Sequence, residues 1–270
     1  MKEGRVVTFC ADDKYMDHAR VLVSSLRQTN PNLHMYARLV NTEQDLSCEV
    51  YHDNTKLSTK VNLFKLAGRF DHTFMETEYS FWNRRKGQVR PSIMYSEQMA
   101  YTCHKRFHNV IDLLDRGFKS ILILDVDSIV KKDLTELFDH IEQHDIAAIT
   151  RQVNPGDIAY YDKERQNYVT PKKPGIGFHE EGTLGTSNTE NAHAFWSEIR
   201  EQVEQEMDDW DSDCKALYKT YSRYKDKLSV YELPRTYKDK YEHSEHSHIW
   251  SGDGVRKKLP DYLEEQKKHL

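Results

Sequence analysis

Apolar and polar positions along the chain alternate between strand-like and helix-like patterns. Val6-Val7-Thr8-Phe9-Cys10 is a β-rich run that closes on the polar turn Ala11-Asp12-Asp13-Lys14. A helical pattern follows, with Ala19, Val21, Leu22, Val23 and Leu26 on its apolar face and Asn30-Pro31 as its stop. Leu33 to Val40 then reads as a second strand. Strand, turn, helix and strand at this spacing form a βαβ unit, which predicts a parallel pair joined by a right-handed crossover.

Residues 41 to 91 break the regular pattern, being rich in Asn, Thr, His and aromatic side chains, and are expected to form a variable, partly helical insertion. From Ser92 to Arg116 a long helical pattern carries Met99, Phe107, Val110, Ile111 and Leu114, with Gly117 where a helix stop belongs. Leu134 to Ile141 predicts a short helix and Ile146 to Ile149 a buried strand. Arg151 to Gly177, rich in Pro, Gly and Tyr, reads as a long loop of the functional or disordered kind. Gly182 to Ser187 predicts a strand, followed by a helix capped near Asn188 or Thr189 that buries Ala194, Phe195 and Ile199. A helix from Asp213 to Tyr224 and a strand near Leu228 to Tyr231 come next. The expected organisation is one domain over 1–258, with a helical tail over 259–270.

The run Ile121-Leu122-Ile123-Leu124-Asp125-Val126-Asp127 joins pattern to chemistry. Four consecutive aliphatic residues fit a strand covered on both faces. If the extended backbone continued through Val126, Asp125 and Asp127 would project to one side and offer two hard oxygen ligands at a strand end. A solvated turn at the end of a strand is the plainer alternative.

Composition narrows the function classes. The 39 Lys+Arg and 44 Asp+Glu residues give a net charge of −5, so no global basic field draws the chain to nucleic acid or to anionic lipid. No window has the roughly 20 apolar residues of a membrane span. Met-Lys-Glu-Gly-Arg is not followed by the apolar core of a signal peptide, so a cytoplasmic protein without membrane insertion is expected. Cys10, Cys48, Cys103 and Cys214 lie far apart and read as reduced thiols.

The first βα turn lacks the glycines of a dinucleotide or triphosphate loop. Its carboxylates and Tyr15 either contact a ribose or base, or Asp12 or Asp13 caps the next helix. His248 offers an imidazole that, with Asp125 and Asp127, would suit Mn²⁺. Gly252 and Gly254, followed by Arg256, Lys257 and Lys258, form either a phosphate-facing loop or a solvated basic tail.

Taken in order, Phe9-Cys10-Ala11-Asp12-Asp13-Lys14-Tyr15, Leu124-Asp125-Val126-Asp127, Glu181-Gly182-Thr183-Leu184, Leu233-Pro234 and His248 to Lys257 resemble metal-dependent glycosyltransferases of GT-A fold, in the glycogenin and bacterial lipooligosaccharide galactosyltransferase group. The resemblance implies an α/β fold with a single Rossmann-like, mostly parallel sheet flanked by helices and an Asp-x-Asp motif at a strand end. It implies transfer of a sugar from a UDP-sugar, with Mn²⁺ (or Mg²⁺) on the diphosphate and retention of anomeric configuration. Asp125, Asp127 and His248 become metal ligands. Ala11, Asp12, Asp13 and Tyr15 become nucleoside contacts, and Gly252 and Lys257 phosphate contacts. Lys105, or Arg106 beside it, resembles the basic residue that reaches the donor. Glu180, Glu181, Asp211 and Asp213 are the candidate carboxylates beside the reacting sugar carbon.

The spacing departs from the family's. There the glycine stands three residues after the histidine and the lysine three further, whereas Gly252 is four after His248 and Lys257 five beyond that. His246 and Arg256 are therefore rivals. The acceptor is left open between a glycan, a protein and a modified base in nucleic acid. Phe81, Trp82, the basic cluster Arg84 to Arg90 and the tyrosines between Tyr160 and Tyr168 suit either the stacking of sugar faces or the grip of a nucleic-acid backbone and its bases. A nucleotidyltransferase and a non-catalytic sugar-nucleotide binder are the remaining alternatives.

Overall fold

The computed structural model describes residues 4–57, 96–153, 160–162, 167–169, 175–178, 182–207, 212–254 and 256–270. A seven-stranded sheet forms the centre. β1 (Arg5–Asp12) is flanked by β2 (His34–Val40) on one side and by β4 (Ser120–Leu124) on the other, both parallel to it. β3 (Glu49–Asp53) adds in parallel beyond β2. On the opposite flank β11 (Thr183–Ser187) runs antiparallel between β4 and β6 (Ile146–Ala148), and β12 (Val230–Glu232) closes that edge parallel to β6.

Helices cover both faces, and the alternation within β4 shows why its sequence is uniformly aliphatic. Ile121 and Ile123 enter a core with Phe107, Val110, Phe195, Trp196 and Leu217. Those side chains come from α2 (Glu97–Asp115), α4 (Glu190–Glu204) and α5 (Ser212–Tyr224). Leu122 and Leu124 point the other way, into a core with Leu22, Leu26, Leu137 and Phe138 from α1 (Met16–Thr29) and α3 (Thr135–Glu142). All four strand residues are at most 2% exposed. Burial of this kind is worth about 1.5–3 kcal/mol per side chain.

Local signals fix the helix ends. Ser96 caps α2 by accepting from the Met99 amide at 3.2 Å. The same helix ends at Gly117, whose φ of 81° suits glycine; its amide donates to Leu114 O and that of Phe118 to Leu113 O, a Schellman closure. Thr189 caps α4, whereas Asn188 uses its side-chain amide to brace Leu114 O and Phe118 O.

The structure corrects the sequence reading in several places. Part of the expected insertion carries a sheet strand, β3, whose alternating Glu-Val-Tyr-His-Asp lacks an apolar run. Residues 58–91, with Phe81, Trp82 and the basic cluster Arg84 to Arg90, lie outside the described residues. The loop expected from Arg151 to Gly177 contains two short antiparallel pairs. β7 (Thr150–Val153) pairs with β10 (Gly175–Phe178), and β8 (Tyr160–Asp162) with β9 (Asn167–Val169). Ala194 is exposed, because the buried stripe of α4 runs through Ala192, Phe195, Trp196, Ile199 and Val203. The expected C-terminal helix is α6 (Pro260–Lys267), which packs inward through the fully buried Tyr262.

Two carboxylates tie loops and edges together. Burial opposes ionisation of Glu142, but Arg5, Lys119 and Ser120 outweigh it and hold the group at about 2. Asp239 is likewise partly buried, yet accepts from the amides of Tyr241, Glu242 and Ser244 and from Ser247 Oγ, and falls to about 2. A carboxylate depressed in the folded state stabilises it above the unfolded value of roughly 4 and loses that contribution as pH falls through the folded value. Thermal unfolding followed between pH 6 and pH 2 should therefore lose stability mainly between about pH 4 and pH 2. The loss should be shallower in Glu142→Gln; an identical slope in that variant contradicts the assignment.

Candidate active site at the β1–β4 crevice

The chain reverses its direction of travel across the sheet between β1 and β4: β2 and β3 lie to one side of β1, β4 to the other. Such a switch point opens a crevice outside the carboxyl ends of the two strands, where α/β proteins bind ligands. β1 ends there at Asp12, and Asp125 and Asp127 follow the end of β4.

The two aspartates do not sit on a continuing strand. Ser128 N donates to Asp125 O at 3.0 Å, so Asp125 to Ser128 form a tight turn between β4 and β5 (Ser128–Val130). β5 pairs antiparallel with β13 (Ile249–Ser251). The Asp127 carbonyl is clamped twice, by Gly252 N and by Tyr262 Oη, each at 2.8 Å. A Cβ on Gly252 would come within 2.9 Å of the Tyr262 ring, so glycine permits the close approach.

Both carboxylates are ion-paired. Lys238 Nζ lies 3.1 Å from Asp125 Oδ2, and Arg106 Nη1 3.1 Å from Asp125 Oδ1. Arg106 also reaches Asp213 Oδ2 at 2.5 Å, and Asp213 Oδ1 accepts from Cys214 N. Lys257 Nζ contacts Asp127 Oδ2 at 2.8 Å and lies over the Tyr15 ring, 4.8 Å from its centroid. Surrounding protein raises the Asp125 pKa, although 31% of the side chain is exposed, but Lys238 and Arg106 outweigh this and hold it below the ordinary value. Asp127 is driven upward by burial and then by the Asp125 charge, against the pull of Lys257. Lys257 loses some basicity to burial but is raised overall by Asp127.

Asp12 is buried at 4% exposure. Its Oδ2 accepts from Gln98 Nε2 at 3.1 Å, while Oδ1 is buried without a hydrogen-bond partner among the described residues. It makes no capping bond to the turn that follows, and Asp13 accepts instead from the Gln44 side chain, so neither carboxylate serves as a helix cap. Ala11 is buried beside Asp12 at the strand end. A buried acceptor left without a partner calls for an explanation, and a ligand N–H or O–H would supply one.

Other sequence candidates lie elsewhere. The β13–β5 register sets Ile249 opposite Val130, and His248 O accepts from Lys131 N, so His248 pairs well past the turn. Its ring stacks on Tyr237 at 4.4 Å, and burial, then Lys132, keep its pKa below the ordinary value. The residue three before Gly252 is Ile249, buried in the core, so the one-residue spacing departure moves the imidazole out of the site. His246 is exposed. The expectation that either histidine joins Asp125 and Asp127 is not met, and no cluster of three His, Cys, Asp or Glu able to hold a metal occurs among the described residues. Among the described residues the ligand set for Mn²⁺ or Mg²⁺ thus does not fit: they offer a divalent ion two carboxylates, each already carrying an ammonium. Lys105 turns away, over the Tyr101 ring at 5.0 Å, and Arg106 reaches the crevice instead. Arg256 lies over the Tyr241 ring, leaving Lys257 beside Asp127. Glu180, Glu181 and Asp211 lie outside the described residues.

Lys238 was missed by the sequence reading. It stands in the mixed-charge run Arg235 to Lys240, which reads as solvated surface, yet its side chain is only 4% exposed. His18 was missed as well; it packs between Tyr15 and Tyr262, and its environment includes both Asp127 and Lys257.

The fold is that of an α/β protein with a mostly parallel seven-stranded sheet flanked by helices, consistent with a GT-A domain. The chain belongs to glycosyl transferase family 8, whose profile matches residues 6–180. No curated protein sequence matches it significantly. Among solved structures it is similar to the glycosyltransferase GlyE of Streptococcus pneumoniae TIGR4, at 16% identity and TM-score 0.46 over 87% of this chain and 46% of that one. It is similar to apo mouse xyloside xylosyltransferase 1, at 12% and 0.47 over 94% and 98%. The galactosyltransferase LgtC, bound to donor and acceptor sugar analogues, gives 12% and 0.43 over 97% and 95%. The chain spans about half the length of the GlyE chain, and these distant likenesses assign no residue a role here.

Gly182 O accepts from Asp125 N at 2.8 Å, and a Cβ there would stand 1.6 Å from Asp125 Oδ2 and 2.2 Å from Lys238 Nζ. Gly182→Ala should break the Asp125–Lys238 pair and lower stability by more than Tyr262→Phe, which removes one hydrogen bond worth about 1 kcal/mol. Urea unfolding of the two variants checks that order, and equal or reversed losses contradict it.

Proposed function

We propose that the chain transfers a sugar from a nucleotide sugar, a UDP-sugar, to an acceptor glycan, protein or modified nucleic acid, with retention at the anomeric carbon, and that it works in the cytoplasm. Membership of a glycosyltransferase family supports the reaction class. One observation supports the siting: Tyr15, Lys257 and Asp127 lie together beyond the end of β4, and Asp12, the last residue of β1, has a buried carboxylate oxygen with no hydrogen-bond partner among the described residues. Retention and the uridine base rest on the family resemblance. Among the described residues no helix is long and apolar enough to cross a membrane.

The chemistry follows from charge. Asp12 Oδ1 suits an N–H or O–H of the nucleoside, and the Tyr15 face suits its ring or ribose. Cleavage of a glycosyl–phosphate bond loads negative charge on the departing diphosphate. Lys257, Lys238 and Arg106 are placed to meet that charge as it forms. Asp213 has both oxygens engaged and acts on the crevice by holding Arg106 against Asp125.

A panel of nucleotide sugars, tested for binding and for nucleoside diphosphate release with Mn²⁺ and separately with chelator, should single out a UDP-sugar. Asp12→Asn should weaken that binding about tenfold or more, as expected for a lost hydrogen bond to a charged acceptor. Proton NMR should show retained anomeric configuration in the product. Absence of binding to every nucleotide sugar under both conditions overturns the reading.

A further inference from the structure

The site has the carboxylates of a metal centre but carries its cations on the protein. We propose that Lys238 is a phosphate-binding residue of this site and that Lys238 and Lys257, backed by Arg106, take the place of a divalent cation on the donor diphosphate, so that the chain binds its nucleotide without metal. The proposal rests on the nucleotide-sugar reading above and adds what neutralises the phosphates.

Geometry and charge carry it. Lys238 Nζ stands on Asp125 Oδ2 and Lys257 Nζ on Asp127 Oδ2, one ammonium for each aspartate that a bridging metal would need. Two ammoniums beside two carboxylates give the same formal balance as one divalent ion between them. Arg106 adds a third cation, shared between Asp125 and Asp213, and Asp213 supplies the matching third carboxylate. No imidazole joins them either, since the register fills the expected place with Ile249.

Lys238 is also held by construction. Its backbone amide closes on Arg235 O, and its neighbour Asp239 organises the loop 241–247 through four hydrogen bonds. On the other side Gly182 leaves room for the ammonium where any side chain would collide with it. A buried lysine is costly unless paired, so its retention beside Asp125 calls for a use. Shifting toward an incoming phosphate exchanges one anionic partner for another without exposing an unpaired charge.

The test uses the full chain. UDP is titrated by calorimetry in EDTA and in MnCl₂, and Mn²⁺ binding is followed by electron paramagnetic resonance. The expected result is UDP affinity agreeing within about twofold in the two conditions, with free Mn²⁺ signal undiminished by the protein. Lys238→Met should weaken UDP about tenfold or more in EDTA, the scale of a lost charge-assisted contact. UDP binding that needs Mn²⁺ in the wild-type chain overturns the lysine assignment and leaves the donor reading standing. No UDP binding in either condition removes the donor reading and this inference with it. Should Lys238→Met fail to fold, the wild-type comparison still decides.

Discussion

The turn from Asp125 to Ser128 is the constraint on which the site depends. It must leave a fully buried aliphatic strand, reverse within four residues, and present carboxylates to a crevice. The Asp127 carbonyl, held by Gly252 N and Tyr262 Oη, fixes the turn from behind. β13 and α6, both far along the chain, therefore belong to the site although neither is part of the central sheet. Lys257 reaches Asp127 because its own amide closes on Gly252 O, the residue that clamps Asp127.

Charge at this turn is matched nearly group for group. Buried ion pairs contribute little net stability, because desolvation consumes most of the attraction, while loss of one partner is expensive. The network Asp213–Arg106–Asp125–Lys238 is thus poorly explained as a stabilising device. As a polar surface prepared for an anionic ligand it has a reason to exist. Pre-set cations need no reorganisation when charge develops on a leaving group.

Much of the framework is legible in the sequence because one-dimensional patterns report it directly. The βαβ start, the two-face burial of Ile121 to Leu124 and the Gly117 stop follow from side-chain period and backbone conformation. The site is legible only in part. Asp12, Tyr15, Asp125, Asp127 and Lys257 follow strand ends or a glycine turn, and those positions can be marked from sequence. Lys238 and Arg106 are set by tertiary approach, the one from a mixed-charge run and the other one residue along α2 from Lys105. A helix turns about 100° per residue, so that single step decides which cation faces the crevice.

The fate of His248 shows how a short motif misleads when its spacing is off by one. In a strand a one-residue change carries a side chain to the opposite face. With Gly252 fixed by the Asp127 clamp and β13 in register with β5, position 249 occupies the place a histidine three residues before the glycine would take, and that place holds a buried isoleucine. His248 is left stacked on Tyr237, where Lys132 and Glu136 are the charges that act on it. Once the imidazole is gone, two aspartates alone make a weak divalent site, and a lysine on each is the less demanding way to keep the crevice neutral before its ligand arrives.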